Sequence, residues 1–163
     1  MRRIVAVLEN LRSLYNVGAA FRTAEGLGVE HLYLAGFTGG HRGLNEPIVR
    51  TRVAKTALGT EDILPWTKRE DTKALLYELK ADGFTIVALE QTTDAVSLVE
   101  WSRGVERPDK VALVVGNELY GVTESTLRLA DVRAQLPMHG KKESLNAAVA
   151  FGIALSWIRW NEK

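Results

Sequence analysis

Short runs of strand-forming residues recur along the chain at Ile4–Leu8, His31–Leu34, Thr85–Leu89, Val111–Val115 and Val132–Leu136, and most are almost continuously apolar. A strand with one wet face alternates apolar and polar side chains, whereas a strand apolar throughout must be covered on both faces. Between these runs lie helical patterns at Val17–Leu27, Thr72–Ala81, Thr123–Leu129 and Leu145–Trp160. The alternation predicts an α/β domain: a mostly parallel sheet flanked by helices. A length of 163 residues suits one such domain over 1–163.

Two stretches stand apart from that rhythm. Gly36–Arg52 holds Gly36, Gly39, Gly40, Gly43 and Pro47 together with Arg42, Arg50 and Arg52, which reads as a long basic loop. From Ala147 to Leu155 the last helical pattern has no charged or strongly polar side chain on any face. A helix apolar all round must be buried all round. Either it lies wholly inside the domain, or part of it is covered by another copy of the chain.

Composition narrows the chemistry. The chain has no cysteine, so disulfides, thiolate nucleophiles and cysteine-ligated metals are excluded, and a cytoplasmic setting is expected. His31, His41 and His139 have no metal-ligand spacing, and no metal is expected. Ile4–Leu8 is interrupted at Glu9 too early for a signal peptide, and no segment approaches the ~20 apolar residues that cross a bilayer. The net charge of +1 argues against a polyanion-binding tail while allowing a local basic patch.

Three strings at strand-to-helix junctions carry the candidate chemistry, and such junctions are where open α/β sheets place ligands. In Asn16-Val17-Gly18-Ala19-Ala20-Phe21-Arg22-Thr23, Asn16 can cap the helix beside it, Gly18 allows close backbone approach, and Arg22 lies within the first turns. In Val111–Gly121 an apolar strand runs into a turn bounded by Gly116 and Gly121 that carries the carboxylate of Glu118. In Leu136–Asn146, Ser144 is placed to cap the final helix, and Asn146 falls in its first turn. Taken singly, each residue reads as well as a cap, a tight turn or a solvated side chain.

Together the strings resemble motifs 1, 2 and 3 of the SpoU-type RNA ribose 2′-O-methyltransferases of the SPOUT class. The pattern N-x-G-A-x-x-R-T is met by Asn16 to Thr23, G-x-E-x-x-G by Gly116 to Gly121, and [IL]-P-M-x-G-x-x-x-S-L-N by Leu136 to Asn146. Lys55–Glu61 and Gly83–Leu89 extend the likeness over nearly the whole chain. Ala147 and Ala148 depart from it, standing where Val and Ser are frequent.

The resemblance implies a sheet whose C-terminal segment threads into a deep trefoil knot, a homodimer with the active site at the subunit interface, and S-adenosylmethionine as methyl donor. It places the cofactor against Leu89, Gly116, Leu136, Met138, Ser144 and Leu145. It makes Arg22 the central catalytic residue, with Asn16, Glu118, Ser144 and Asn146 orienting it and the ribose. A guanidinium normally keeps its proton, so clamping a phosphate and stabilising the developing 2′-alkoxide stands beside proton abstraction as its role. The substrate implied is structured RNA, transfer RNA ahead of ribosomal RNA, since only RNA has the 2′-hydroxyl. Arg42, Arg50, Arg52, Lys55, Lys141 and Lys142 are the candidate phosphate contacts.

Other readings compete. A nucleotide-dependent dehydrogenase would need G-x-G-x-x-G after the first strand, and a P-loop would need Lys-Ser/Thr after Gly36–Gly43; neither is present. A non-catalytic RNA-binding dimer and a base-directed methyltransferase remain as alternatives.

Overall fold

A computed structural model describes residues 1–104 and 108–161. In chain order they form β1 (Arg3–Glu9), α1 (Leu14–Gly26), β2 (His31–Ala35), α2 (Pro47–Ala57), β3 (Trp66–Arg69) and α3 (Thr72–Ala81). There follow β4 (Thr85–Leu89), β5 (Val96–Ser97), α4 (Leu98–Arg103), β6 (Lys110–Val115), α5 (Glu124–Leu129), β7 (Val132–Gln135) and α6 (Ala147–Trp160). The sheet has seven strands in the order β3-β2-β1-β6-β4-β7-β5. Each pairing is parallel.

The near-continuous apolar runs are explained by the two faces they serve. Ile4, Ala6 and Leu8 of β1, with Val111, Leu113 and Val115 of β6, pack with Val17, Phe21 and Ala24 of α1 and Phe151, Ala154, Leu155 and Ile158 of α6. The intervening Val5 and Val7, with Ala112 and Val114, pack with Leu75, Leu76 and Leu79 of α3. Successive side chains of a strand point to opposite faces, so a strand covered twice has no place for water-facing polar residues.

The connection after β2 is not the long loop the glycines suggested. A 3-10 turn at Gly43–Asn45 leads into α2, which starts with Pro47 in its first turn and runs to Ala57. Pro pre-sets the backbone angle of a first helical turn and gives up only an amide that has no partner there. Val49, Val53 and Ala57 recur every four residues and face the core, where Val53 and Ala57 are fully buried. The basic residues between them obscured that stripe.

α6 is neither wholly internal nor evenly exposed. Phe151, Ala154, Leu155 and Ile158 are completely buried, whereas Val149 is 51%, Ile153 38% and Trp160 73% exposed. One apolar face is therefore spent on the core and a second is left open in the monomer. Among the described residues no helix is long and apolar enough to cross a membrane.

Candidate active site

The carboxyl ends of β4, β6 and β7 lie level, with Leu89 paired to both Val115 and Ala134. An open cleft of roughly 800 Å³, solvent at its mouth included, lies just beyond them. Leu89, Gly116, Leu136, Met138, Ser144 and Leu145, the six positions expected to hold a cofactor, all line it. Glu118 and Leu119 complete one wall. Three chain segments far apart in sequence thus meet over the strand ends, where parallel sheets bind ligands.

The wall at Gly116–Gly121 is built by a chain that doubles back on itself. Asn117 and Gly121 exchange backbone hydrogen bonds at 2.9 Å in both directions. A Cβ on Gly116 would run into the backbone of Gly121 and Val122, and Gly121 has φ +70° with the Glu90 carboxylate against its Cα. Only glycine tolerates both the contact and the left-handed backbone. Glu90 fixes the turn from outside, accepting the amides of Val122 at 2.7 Å and Gln91 at 2.9 Å.

Glu118 turns away from that wall toward the start of α1. Its carboxylate accepts the amides of Arg12 and Ser13 at 3.0 Å each and the side-chain amide of Asn16 at 3.1 Å. Burial alone would raise its pKa, but the Arg12 and Ser13 amides and the Asn16 amide outweigh it and hold the carboxyl below its ordinary range. Asn16 in turn accepts the side-chain amide of Asn146 at 3.2 Å. One carboxylate and two carboxamides, one from each of the three motif strings, form a single chain of hydrogen bonds.

Two capping assignments change. Ser13, not Asn16, caps α1, its Oγ accepting the Asn16 amide at 3.2 Å, which frees the Asn16 side chain to bridge Glu118 and Asn146. Asn146, not Ser144, caps α6, its Oδ1 accepting Ala148 N–H at 2.9 Å and Val149 N–H at 3.3 Å. The helix begins two residues later than the periodicity suggested because Leu145, though apolar, is 39% exposed and belongs to the cleft. Ser144 is an exposed residue of the cleft wall.

Arg22 lies on α1 six residues beyond Asn16, exposed, outside the cleft lining. Its guanidinium has no hydrogen-bond or ion-pair partner among the described residues. Of the candidate phosphate contacts, Arg50, Arg52 and Lys55 are on α2 and exposed, and Arg50 is paired with Asp62. α2 packs closely on α1 where a Cβ on Gly18 would strike Val53 O and Thr56 Oγ1. Gly18 therefore serves helix packing. Arg42 is exposed before the 3-10 turn, and Lys141 and Lys142 are exposed in the segment leading to α6.

Glu90 and Gln91, which line the cleft, had no role assigned from the sequence, and neither had Asn117 on its wall or Glu9 and Asn10 behind it. Asn117, 7% exposed, accepts the amides of Leu119 and Tyr120 at 2.9 and 3.0 Å and donates to Asn10 O at 2.8 Å. Glu9, 1% exposed at the end of β1, accepts Thr123 N–H and the hydroxyls of Thr123 and Thr126 at 2.6 to 3.0 Å. Asn10, at φ +57°, accepts the Phe37 amide at 3.0 Å. The available signal was a carboxylate and an amide set directly against the ends of apolar strands, where a buried polar group must have partners.

Residues 3–156 match the sequence profile of the SpoU rRNA Methylase family. The chain is 34% identical over 152 residues to an uncharacterized tRNA/rRNA methyltransferase of Mycobacterium bovis, covering 93% of this chain and 50% of that protein. It thus spans about half the length of that relative. It is 30% identical over 152 residues to a tRNA (guanosine(18)-2'-O)-methyltransferase of Thermus thermophilus, covering 93% of this chain and 72% of the other. In fold it resembles the AdoMet-bound rRNA methyltransferase of Sinorhizobium meliloti, with TM-score 0.83 and 25% identity over 98% of this chain and 57% of that one.

Proposed function

The chain belongs to the SpoU rRNA methylase family, and from that premise we propose that it transfers a methyl group from S-adenosylmethionine to a ribose 2′-hydroxyl of structured RNA, transfer RNA ahead of ribosomal RNA. The observation that carries the reading is the meeting of two sets of residues. The six cofactor candidates line one cleft, and Glu118, on its wall, is hydrogen-bonded to Asn16, which is bonded to Asn146. The relatives named for transfer RNA and ribosomal RNA support RNA as the substrate class.

The cleft fits the donor chemically. Leu89, Leu136 and Leu145 offer apolar surface to a purine ring, the bare backbone at Gly116 admits close approach, and Gln91 supplies polar atoms at its edge. S-adenosylmethionine, when bound, supplies a methyl already activated by its sulfonium. The protein's task is then alignment of the ribose and stabilisation of its oxygen as the proton leaves.

Arg22 is the residue for that task. As an exposed cation with no partner among the described residues, it is open to a phosphate and to the developing 2′-alkoxide. Asn16, Glu118 and Asn146 tie α1, which carries Arg22, to the cleft wall and to the start of α6. Ser144 stands on the cleft wall where it can hydrogen-bond the cofactor or the ribose. Arg42, Arg52, Lys55, Lys141 and Lys142 supply phosphate contacts, with Arg50 a weaker one because Asp62 already holds it.

The active form is a homodimer, supported by the apolar face that Val149, Ile153 and Trp160 leave open on α6. The C-terminal segment threads into a deep trefoil knot, a reading supported by membership of the SpoU rRNA methylase family. The domain works in the cytoplasm, where its RNA is found.

The test is incubation of the purified protein with unmodified bulk transfer RNA or ribosomal RNA and methyl-labelled S-adenosylmethionine, then nuclease digestion and nucleoside analysis. Label in a 2′-O-methylnucleoside supports the reading. Label on a base moves the protein to a base-directed reaction, and cofactor and RNA binding without label moves it to a non-catalytic RNA-binding role.

A further inference from the structure

Leu119 is 72% and Tyr120 85% exposed, adjacent large side chains at the tip of the turn between Gly116 and Gly121. A lone exposed hydrophobic residue is ordinary. A pair held rigidly at the mouth of a cleft is not, and this turn is rigid. The Asn117–Gly121 bridge closes it, Asn117 Oδ1 accepts the amides of both Leu119 and Tyr120, Asn117 Nδ2 anchors it to Asn10, and Glu118 is tied to Arg12, Ser13 and Asn16. Leu119 lines the cleft, and Tyr120 is the next residue of the same turn.

The segment that Glu118 holds carries a cation. Arg12 donates its backbone amide to Glu118 Oε2 at 3.0 Å, while its side chain is exposed and has no partner among the described residues. An aromatic side chain and a free guanidinium, on the two segments that the half-buried Glu118 carboxylate joins, match the two parts of a nucleotide, an unstacked base and its phosphate.

We propose that Tyr120 is a stacking platform for an unpaired nucleobase of the RNA and that Arg12 holds a neighbouring phosphate, so that the target nucleotide is taken from a single-stranded loop. The proposal rests on the RNA reading above and adds residues that the family motifs do not specify. Because the turn is locked before RNA arrives, little ordering opposes the stacking. Stacking reads the face of any base, so the platform selects loop over duplex and not one base over another.

The test uses a hairpin RNA carrying 2-aminopurine at successive loop positions, titrated with the wild type and the Tyr120→Ala, Tyr120→Phe, Arg12→Ala and Arg12→Lys variants, all saturated with S-adenosylhomocysteine. The wild type and Tyr120→Phe are expected to quench the probe at a loop position. Tyr120→Ala is expected to lose the quenching and bind about tenfold more weakly. Arg12→Ala should lower the slope of log Kd against log salt by about one, and Arg12→Lys should restore it. S-adenosylhomocysteine affinity should be the same in all five proteins.

Wild-type quenching that survives in Tyr120→Ala overturns the platform, as does absence of quenching at every loop position. A Tyr120→Ala protein that sediments as a monomer beside a dimeric wild type assigns the side chain to a subunit interface and also overturns it. Methyl transfer to bulk RNA, read in parallel, separates the two claims. Transfer with unaltered Tyr120→Ala binding defeats the platform alone, and Tyr120-dependent quenching without transfer defeats only the methyltransferase reading.

Discussion

The side-chain amide of Asn16 donates to Glu118 at 3.1 Å across 102 residues of sequence, joining the first turn of α1 to the wall of the cleft. With the Arg12 and Ser13 amides it gives that carboxylate three donors. Removing the carboxylate strands all three, whereas removing any one donor leaves two.

Glu118→Ala should therefore cost about 1–2 kcal/mol of stability, more than Asn16→Ala, because stranded donors lose their bonds without regaining full hydration. The folded pKa of Glu118 lies below its ordinary value near 4.5. Its contribution is accordingly full above that value and is lost as pH falls through the folded pKa. Urea melts of the wild type and Glu118→Gln should differ most above pH 5 and converge in acid. A gap that widens in acid would contradict the assigned hydrogen bonds.

Asn146→Ala removes the cap of α6 and should destabilise by about 1 kcal/mol. Ser144→Ala should leave the melting temperature almost unchanged, since its hydroxyl caps no helix. Calorimetry of the two variants decides between them, and S-adenosylmethionine titration should show the weaker binding in Ser144→Ala.

Gly18→Ala gains about 1 kcal/mol of helix propensity but drives a methyl into Val53 O and Thr56 Oγ1. A backbone carbonyl on a packed helix yields less readily than a side chain, so overpacking of about 1–3 kcal/mol wins and the variant should be less stable. Gly26→Ala, with nothing within 4 Å of the new methyl, is the matched control and should be neutral or stabilising.

Arg22→Ala should abolish methyl transfer while S-adenosylmethionine binding, read by calorimetry, stays within about twofold of wild type, because Arg22 lies outside the cleft lining. Near-normal transfer by this variant would remove Arg22 from the mechanism.

Ile153→Glu places a charge on the open apolar face of α6 without touching the buried face at Phe151, Ala154 and Leu155. Sedimentation should show a monomer with a wild-type circular dichroism spectrum, and methyl transfer should fall with dimer content. A dimer that persists would mean that another surface joins the copies.

Sequence alone determined the layered α/β plan, because strands buried on both faces must be apolar at successive positions and Val111–Val115 could be little else. It also singled out Asn16, Glu118 and Asn146, through strings short enough to be read locally. It missed α2, whose stripe of Val49, Val53 and Ala57 is masked by basic neighbours and preceded by glycines. It also exchanged the caps, since Ser13 and Asn16, or Ser144 and Asn146, are equally able to cap, and the choice depends on what else each side chain can reach. Asn16 is drawn from capping by Glu118, and Asn146 combines its cap with a bond to Asn16. Those partners are more than 100 residues away in the chain. Only the parallel sheet, by leveling the ends of β1, β4, β6 and β7, brings them together.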